Sequence, residues 1–284
     1  MLFDHSVFAG KRFIITGGGS GLGQSLAIFL INHGANVVLL GRSIARLNDM
    51  KTQFGDAVEV HPCNIKDYQQ VNHVIQACCK NPVDGLINNA AANFPLPTEQ
   101  LSQNAFHAIF DTVAQGTFYM TQAMGKHWLK HKKKGVIVSL STTYASGAGP
   151  FVVPSAMGKA AVEAMTRSLA VEWGNRDIRL LAVSPGLIHT DGAWKHLFAA
   201  VADEQAMDTY IPSGQAGTQD ALNQLIGLML SDGCPYLTGT VVPLDGAFAL
   251  TSGAGPFYHW FKSLTPEQWD KVKRLGKQAD NEHD

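Results

Sequence analysis

The sequence predicts an α/β protein built on a doubly wound parallel sheet of about seven strands, with helices on both faces. Three observations carry this expectation. Short apolar runs recur along the chain, segments of helical period separate them, and a glycine cluster stands where the first run hands over to the first helical segment. With 284 residues, 45% of them hydrophobic, and 28 glycines, the chain is long enough to bury one large core.

Taken in order, Phe13 to Thr16, Val37 to Leu40, Val58 to Val60, Leu86 to Asn88, Val136 to Leu140, Leu180 to Val183 and Val241 to Leu244 read as strands buried on both faces. Between them, Leu22 to His33, Ile44 to Phe54, Tyr68 to Cys79, Asn104 to His131, Ala156 to Trp173 and Gln219 to Leu230 carry helical period. Repeated βα units of this kind wind right-handed. No linker or internal repeat interrupts residues 1–284, which read as one domain with a C-terminal extension over 247–284. Residues 190–217 lack a strand and carry Trp194, Phe198, Met207, Tyr210 and Ile211, so a helical lid over the strand ends is expected there.

Charge narrows the partners. Twenty-two Lys plus Arg against 23 Asp plus Glu give a net charge of -1, and no global field favours nucleic acid or an anionic membrane surface. A small molecule is the expected partner. The four cysteines, Cys63, Cys78, Cys79 and Cys234, show no paired metal-ligand spacing, so neither a metal site nor a disulfide is expected, and reduced thiols fit a reducing compartment. No apolar run reaches membrane-spanning length and neither end reads as a signal, transit or peroxisomal motif, so the expected location is cytoplasmic.

Chemistry enters at Thr16-Gly17-Gly18-Gly19-Ser20-Gly21-Leu22-Gly23. Gly17, Gly21 and Gly23 follow a strand and open a helix, where missing side chains permit a tight turn, close approach of a pyrophosphate to backbone N–H groups, and close helix packing. A dinucleotide is the expected ligand. After the second strand, where an acidic residue would hold the ribose of NAD, the chain reads Leu40-Gly41-Arg42-Ser43. A guanidinium is a planar fork suited to a 2′-phosphate and Ser43 adds a hydroxyl, which favours NADPH; the alternative is Arg42 as a solvated loop cation.

Thr16-Gly17-x-x-x-Gly21-x-Gly23, Asn88-Asn89-Ala90, Lys159 and Ser184-Pro185-Gly186, in this order, resemble the short-chain dehydrogenase/reductase family over nearly the whole chain. The resemblance implies a Rossmann-type sheet and hydride transfer from a nicotinamide. By position it sets Ser20, Leu22, Asn64, Ile65, Asn89, Ala90, Lys159, Pro185, Gly186 and Ile188 beside the cofactor. Within that family, Asn93-Phe94-x-x-Pro97-Thr98-Glu99-x-Leu101-Ser102, Thr142-Thr143-Tyr144-Ala145, Gly149-x-Phe151-Val152-Val153-Pro154-Ser155-Ala156 and the tail Leu264 to Asp270 are similar to the 2,4-dienoyl-CoA reductases.

That narrower resemblance accounts for a missing residue. Ser155-Ala156-Met157-Gly158-Lys159 keeps the lysine of a Tyr-x-x-x-Lys pair and has serine at the tyrosine position. The dienoyl-CoA reductase pattern supplies its tyrosine from the loop after the fifth strand, here Tyr144. What the resemblance implies is Tyr144 as proton donor, Asn93 sharing the thioester oxygen with it, Lys159 on the nicotinamide ribose, and Ser155 in support. A phenol of unperturbed pKa near 10 can protonate a strong carbon base, and a nearby ammonium eases loss of its proton. Hydride added at C5 of a 2,4-dienoyl thioester drives electrons onto the carbonyl oxygen, where Asn93 and Tyr144 would form an oxyanion hole; protonation of the α carbon leaves a 3-enoyl-CoA. Tyr144 as a loop anchor, Asn93 as a turn cap and Ser155 as the N-cap of the following helix stand as alternatives.

Other positions depart from the pattern or admit two readings. Gln115 stands where the family's helix-kinking, water-holding asparagine is expected, and Asn64 replaces an adenine-accepting aspartate, still able to accept through its carbonyl oxygen. Lys66, Phe94 and Ser102 match acyl-CoA positions, Lys66 replacing an arginine. Lys130-His131-Lys132-Lys133-Lys134 reads either as a CoA phosphate patch or as basic residues favoured by a helix C-terminus. Phe257, Tyr258, Trp260 and Phe261 suit either an acyl tunnel or a subunit interface. The resulting expectation is an NADPH-dependent 2,4-dienoyl-CoA reductase of fatty-acid β-oxidation, taking an acyl-CoA and assembled as a homotetramer. A reductase of another enoyl thioester or carbonyl compound, and a non-catalytic NADP(H)-binding sensor, are the competing readings.

Overall fold

The computed structural model describes residues 3–189, 208–251 and 261–271. Seven parallel strands, β1 (Arg12–Thr16), β2 (Asn36–Gly41), β3 (Val58–Pro62), β4 (Gly85–Asn88), β5 (Gly135–Leu140), β6 (Ile178–Pro185) and β7 (Val241–Leu244), form one sheet in the order β3-β2-β1-β4-β5-β6-β7. Winding proceeds outward from β1 in one direction and from β4 in the other. Ile15 pairs with Ile87 where these two strands lie side by side, so the chain leaves their C-terminal ends in opposite directions and opens a crevice there.

Helices α1 (Gly21–Asn32), α2 (Ile44–Phe54), α3 (Tyr68–Cys78), α4 (Gln103–Phe110), α5 (Thr117–His131), α6 (Val153–Trp173), α7 (Gln219–Leu230) and the short α8 (Phe248–Thr251) supply the outer layers. Their starts have local causes. Asp67 accepts from the Gln69 and Gln70 N–H groups to open α3, Ser102 from Ala105 to open α4, and Thr218 from Ala221 to open α7. The C-terminus of α5 carries Lys130 and His131, then turns at Lys132 in the left-handed region with φ 52°.

Strand side chains alternate between two cores, as period 2 demands. Phe13, Ile15, Val37, Leu39 and Ile87 pack against α1, α2 and α7, whereas Ile14, Val38, Leu40, Leu86 and Ile137 pack against α3, α5 and α6. Each buried side chain of this size contributes about 1.5–3 kcal/mol, so two fully covered faces make the sheet a rigid platform.

One expected helix is interrupted. Asn104 to His131 was predicted as a single segment, and the structure places a π-helical stretch, Asp111–Gly116, between α4 and α5. Gly116 lies so close to Ile65 that an added Cβ would fall 2.6 Å from Ile65 Cγ1, and one on Gly158 of α6 would fall 2.9 Å from Val113 Cγ1. The extra residue per turn lets both approaches occur together. The proposed lid falls mostly outside the described residues, since 190–207 do; within 208–217, Gly217 forms an isolated parallel bridge with Ile188. Phe257, Tyr258 and Trp260 lie outside them too. Among the described residues, no helix is long and apolar enough to cross a membrane.

Candidate active site

A cleft of about 860 Å³ runs across the C-terminal ends of β1, β2, β4, β5 and β6, over the crevice that the strand order creates. Its floor is the glycine turn. Gly17 has φ +69° and Gly21 φ +54°, a region in which side chains are strained, and a Cβ on Gly23 would overlap the Asn89 amide and the Gly17 carbonyl. Asn89 fixes the turn by donating to the Thr16 and Gly17 carbonyls over 2.9 and 3.2 Å, while Thr16 Oγ1 accepts from the Asn89 and Ala90 N–H groups at 3.0 Å each. In contrast to α3, α4 and α7, α1 starts after Ser20 with no side-chain cap, and its first turn carries no acid. Its N–H groups and positive dipole end face the cleft, which suits a pyrophosphate.

At one end Arg42 and Ser43 follow β2, and Arg46 follows one turn later on α2; all three line the cleft and are exposed. The first turn of α2 holds no acidic residue, so two guanidinium groups stand against the positive end of a helix dipole. Such an arrangement presents positive charge to an anion. Asn64 and Ile65 line the same end. Asn64 Oδ1 already accepts from the Lys66 N–H at 3.2 Å, so its expected acceptance from an adenine would use the second lone pair.

At the other end four predicted residues meet. A short 3-10 turn after β5, Thr143–Ala145, presents Tyr144, whose hydroxyl lies 3.2 Å from Asn93 Nδ2 and 3.0 Å from Ser155 Oγ. Gly149 makes room for the ring, since a Cβ there would sit 3.1 Å from Tyr144 Cδ2. Ser155 is inside α6, whose N-cap is Val152, so the N-cap alternative is excluded: its buried hydroxyl is turned toward Tyr144. One turn on, the buried Lys159 ammonium donates to the Leu140 carbonyl, and desolvation pulls its pKa from 10.5 to about 8. Asn93 donates its amide to the tyrosine oxygen, leaving the phenolic proton for Ser155 or a ligand, and its buried Oδ1 has no partner among the described residues. An amide and a phenol converging on one point, with an acidic proton at hand, form an arrangement able to hold a developing oxyanion and deliver a proton.

The model of the family described as enoyl-(acyl carrier protein) reductase matches residues 17–248. A Caenorhabditis elegans protein named probable 2,4-dienoyl-CoA reductase 3, (3E)-enoyl-CoA-producing, is 37% identical over 279 residues, 94% of this chain and 89% of the relative. A crystal structure of a short chain dehydrogenase from Bacillus anthracis superposes with a TM-score of 0.78 at 36% identity, covering 84% of this chain and 96% of the other. The chain belongs to the short-chain dehydrogenase/reductase family. This member is an oxidoreductase. A further structure, of a 3-ketoacyl-(acyl-carrier-protein) reductase from Brucella melitensis complexed with NADH, has a TM-score of 0.80 at 25% identity, covering 85% of this chain and 99% of that one. The glycine turn, the open α1 N-terminus and the cleft fit the nicotinamide dinucleotide that this family uses.

Some predicted positions stand apart from this cluster. Ser20, Leu22, Pro185 and Gly186 line the cleft, and Ile188 is buried behind it in the bridge to Gly217. Gln115 does not line it: its amide donates to the Tyr119 hydroxyl, and it lies within the π-helical stretch, at the position where the family's helix-kinking asparagine is expected. Lys66, Phe94 and Ser102 also lie outside the cleft lining, and the Ser102 hydroxyl is engaged as the α4 cap. Lys134 of the basic run pairs with Asp232 at 3.6 Å. Arg46 and Thr142 were not singled out by sequence; the spacing of four between Arg42 and Arg46 on a predicted helix start was the available signal, and Thr142 stood unassigned beside Tyr144. Glu59, His61 and Cys78 bring potential metal-ligand atoms within 4.8 Å of one another, but Glu59 is already paired with Arg12 and with His61.

Proposed function

We propose that this protein reduces 2,4-dienoyl-CoA thioesters to 3-enoyl-CoA with NADPH, in the β-oxidation of unsaturated fatty acids. The observation that carries the reading is the hydrogen-bonded set Asn93, Tyr144 and Ser155 one helical turn from Lys159, in a chain whose usual tyrosine position holds serine. Bound in the cleft, the nicotinamide would supply a hydride. Asn93 and Tyr144 hold the thioester oxygen as charge develops on it, Tyr144 gives its proton to the α carbon, and Ser155 keeps the phenol oriented. Lys159, partly deprotonated near pH 8, binds the nicotinamide ribose and shares in returning a proton to Tyr144. Arg42 with Arg46 supports NADPH over NADH, because the pair offers bidentate donors to a 2′-phosphate. Oxidation of NADPH and of NADH, followed by absorbance with hexadienoyl- and decadienoyl-CoA, tests the reading; NADPH-preferred turnover is expected, and nucleotide binding without turnover would overturn it.

Assembly as a homotetramer is part of the same reading. Met157, Ala161, Ala164, Ser168 and Val171 are all exposed and recur at alternating spacings of four and three along α6, which makes a seam for another helix rather than a solvated face.

A further inference from the structure

Phe151 is an aromatic residue in a conformation that its side chain disfavours. Its φ is +65°, and it is 59% exposed. A bulky residue in the left-handed region costs free energy, and burial of its ring in a core would ordinarily offset that cost. Here more than half of the residue is exposed. Strain of this kind, with no packing to account for it, points from an observed outlier to a ligand.

The surroundings say which ligand. The Phe151 carbonyl accepts the Leu96 N–H at 2.8 Å, which joins the loop after β4 to the loop preceding α6. Asn93 and Tyr144 join the same two regions a few residues away, over 3.2 Å. Between these two ties sits Phe94, itself 39% exposed. Two exposed aromatic residues, Phe94 beside Asn93 in the chain and Phe151 tied to Leu96, thus belong to the two loops that hold Asn93 and Tyr144, and neither lines the cleft that takes the dinucleotide. A thioester held there carries an apolar acyl chain, the chemistry that an exposed aromatic ring takes.

We propose that Phe151 is a specificity-determining residue whose ring covers the acyl chain of the substrate, its left-handed backbone holding the ring at the mouth of the site. The inference rests on the thioester reading above. The test compares wild type with Phe151→Gly, which relieves the backbone strain and removes the ring, and with Phe151→Leu, which keeps an apolar side chain. For Phe151→Gly, the KM for decadienoyl-CoA is expected to rise about tenfold, the effect of uncovering roughly two methylenes, with the KM for hexadienoyl-CoA within about twofold of wild type. Phe151→Leu is expected to fall between. The melting temperature of Phe151→Gly should equal or exceed that of wild type. An equal effect on both chain lengths, no effect on either, a lowered melting temperature, or a change of oligomeric state in Phe151→Gly would each overturn the proposal. Failure of wild-type turnover on either thioester would instead overturn the substrate reading, so the two failures are distinguishable.

Discussion

Asn93 and Tyr144 stand 51 positions apart in the chain, yet the Asn93 amide donates to the Tyr144 hydroxyl over 3.2 Å at the mouth of the cleft. One residue follows β4 and the other follows β5, neighbouring strands whose register pairs Asn88 with Ser139. The sheet therefore sets this distance: moving either strand by one residue would carry its following loop by about 3.3 Å and break the bond.

Tyr144→Phe removes the proton and leaves the ring in its Gly149 pocket. A loss of about 10²–10⁴ in kcat is expected, the range for general acid catalysis, with NADPH affinity unchanged by fluorescence titration. Wild-type turnover by this variant would remove Tyr144 from the role of proton donor.

Asn93→Ala takes away one of two donors to the oxyanion, and about 10²–10³ in kcat should go with it. Were the residue only a turn cap, the variant would melt at a lower temperature and retain kcat, which a thermal melt beside steady-state kinetics would reveal.

For the cofactor, Arg42→Ala and Arg46→Ala should each raise the KM for NADPH about ten- to a hundredfold, as expected for loss of a charge-assisted hydrogen bond, and leave the KM for NADH little changed. Equal losses with both nucleotides would mean that the guanidinium groups do not read the 2′-phosphate.

Gly23→Ala places a methyl group on the Asn89 amide and the Gly17 carbonyl. The backbone of the turn must shift, at a cost of about 1–3 kcal/mol in stability and with loss of dinucleotide binding. Denaturant unfolding and nucleotide titration measure the two consequences separately.

Lys159→Met tests the buried ammonium through pH. The native pKa of about 8 lies below the unfolded value of 10.5, so the native chain binds fewer protons than the unfolded chain between these values. Burial of the charge is thus fully destabilising below pH 8, and the penalty is lifted as pH rises from about 8 toward 10.5. Without nucleotide, the methionine variant should melt above wild type at neutral pH, by a margin that shrinks through that window. A margin independent of pH would show that the ammonium is not penalised by its surroundings.

Much of the fold was legible because parallel strands covered on both faces leave a local signature. The runs from Phe13 to Val241 coincide with β1 to β7, and Ile44–Phe54 and Gln219–Leu230 agree with α2 and α7 to the residue. The break at Asp111–Gly116 was legible only through the resemblance, which marks a kink position at Gln115; by residue type nothing in that stretch forbids an α-helix, and the close contacts with Ile65 and Gly158 come from residues distant in sequence. Gln115 was read as a departure from the family's asparagine position, and its side chain bonds Tyr119 without lining the cleft.

By itself the sequence determined the alternation of strand and helix, the glycine turn and the chemical types at Asn93, Tyr144, Ser155 and Lys159, because each of these depends on residue identity and short-range spacing. Only the tertiary structure decided that Ser155 faces Tyr144 instead of capping a helix, that Arg46 joins Arg42, that Lys159 is desolvated and that Phe151 is strained and exposed. Those properties arise where loops from separate strands converge at one edge of the sheet. Distance across that edge is set by register and packing, and neither is local to any stretch of the chain.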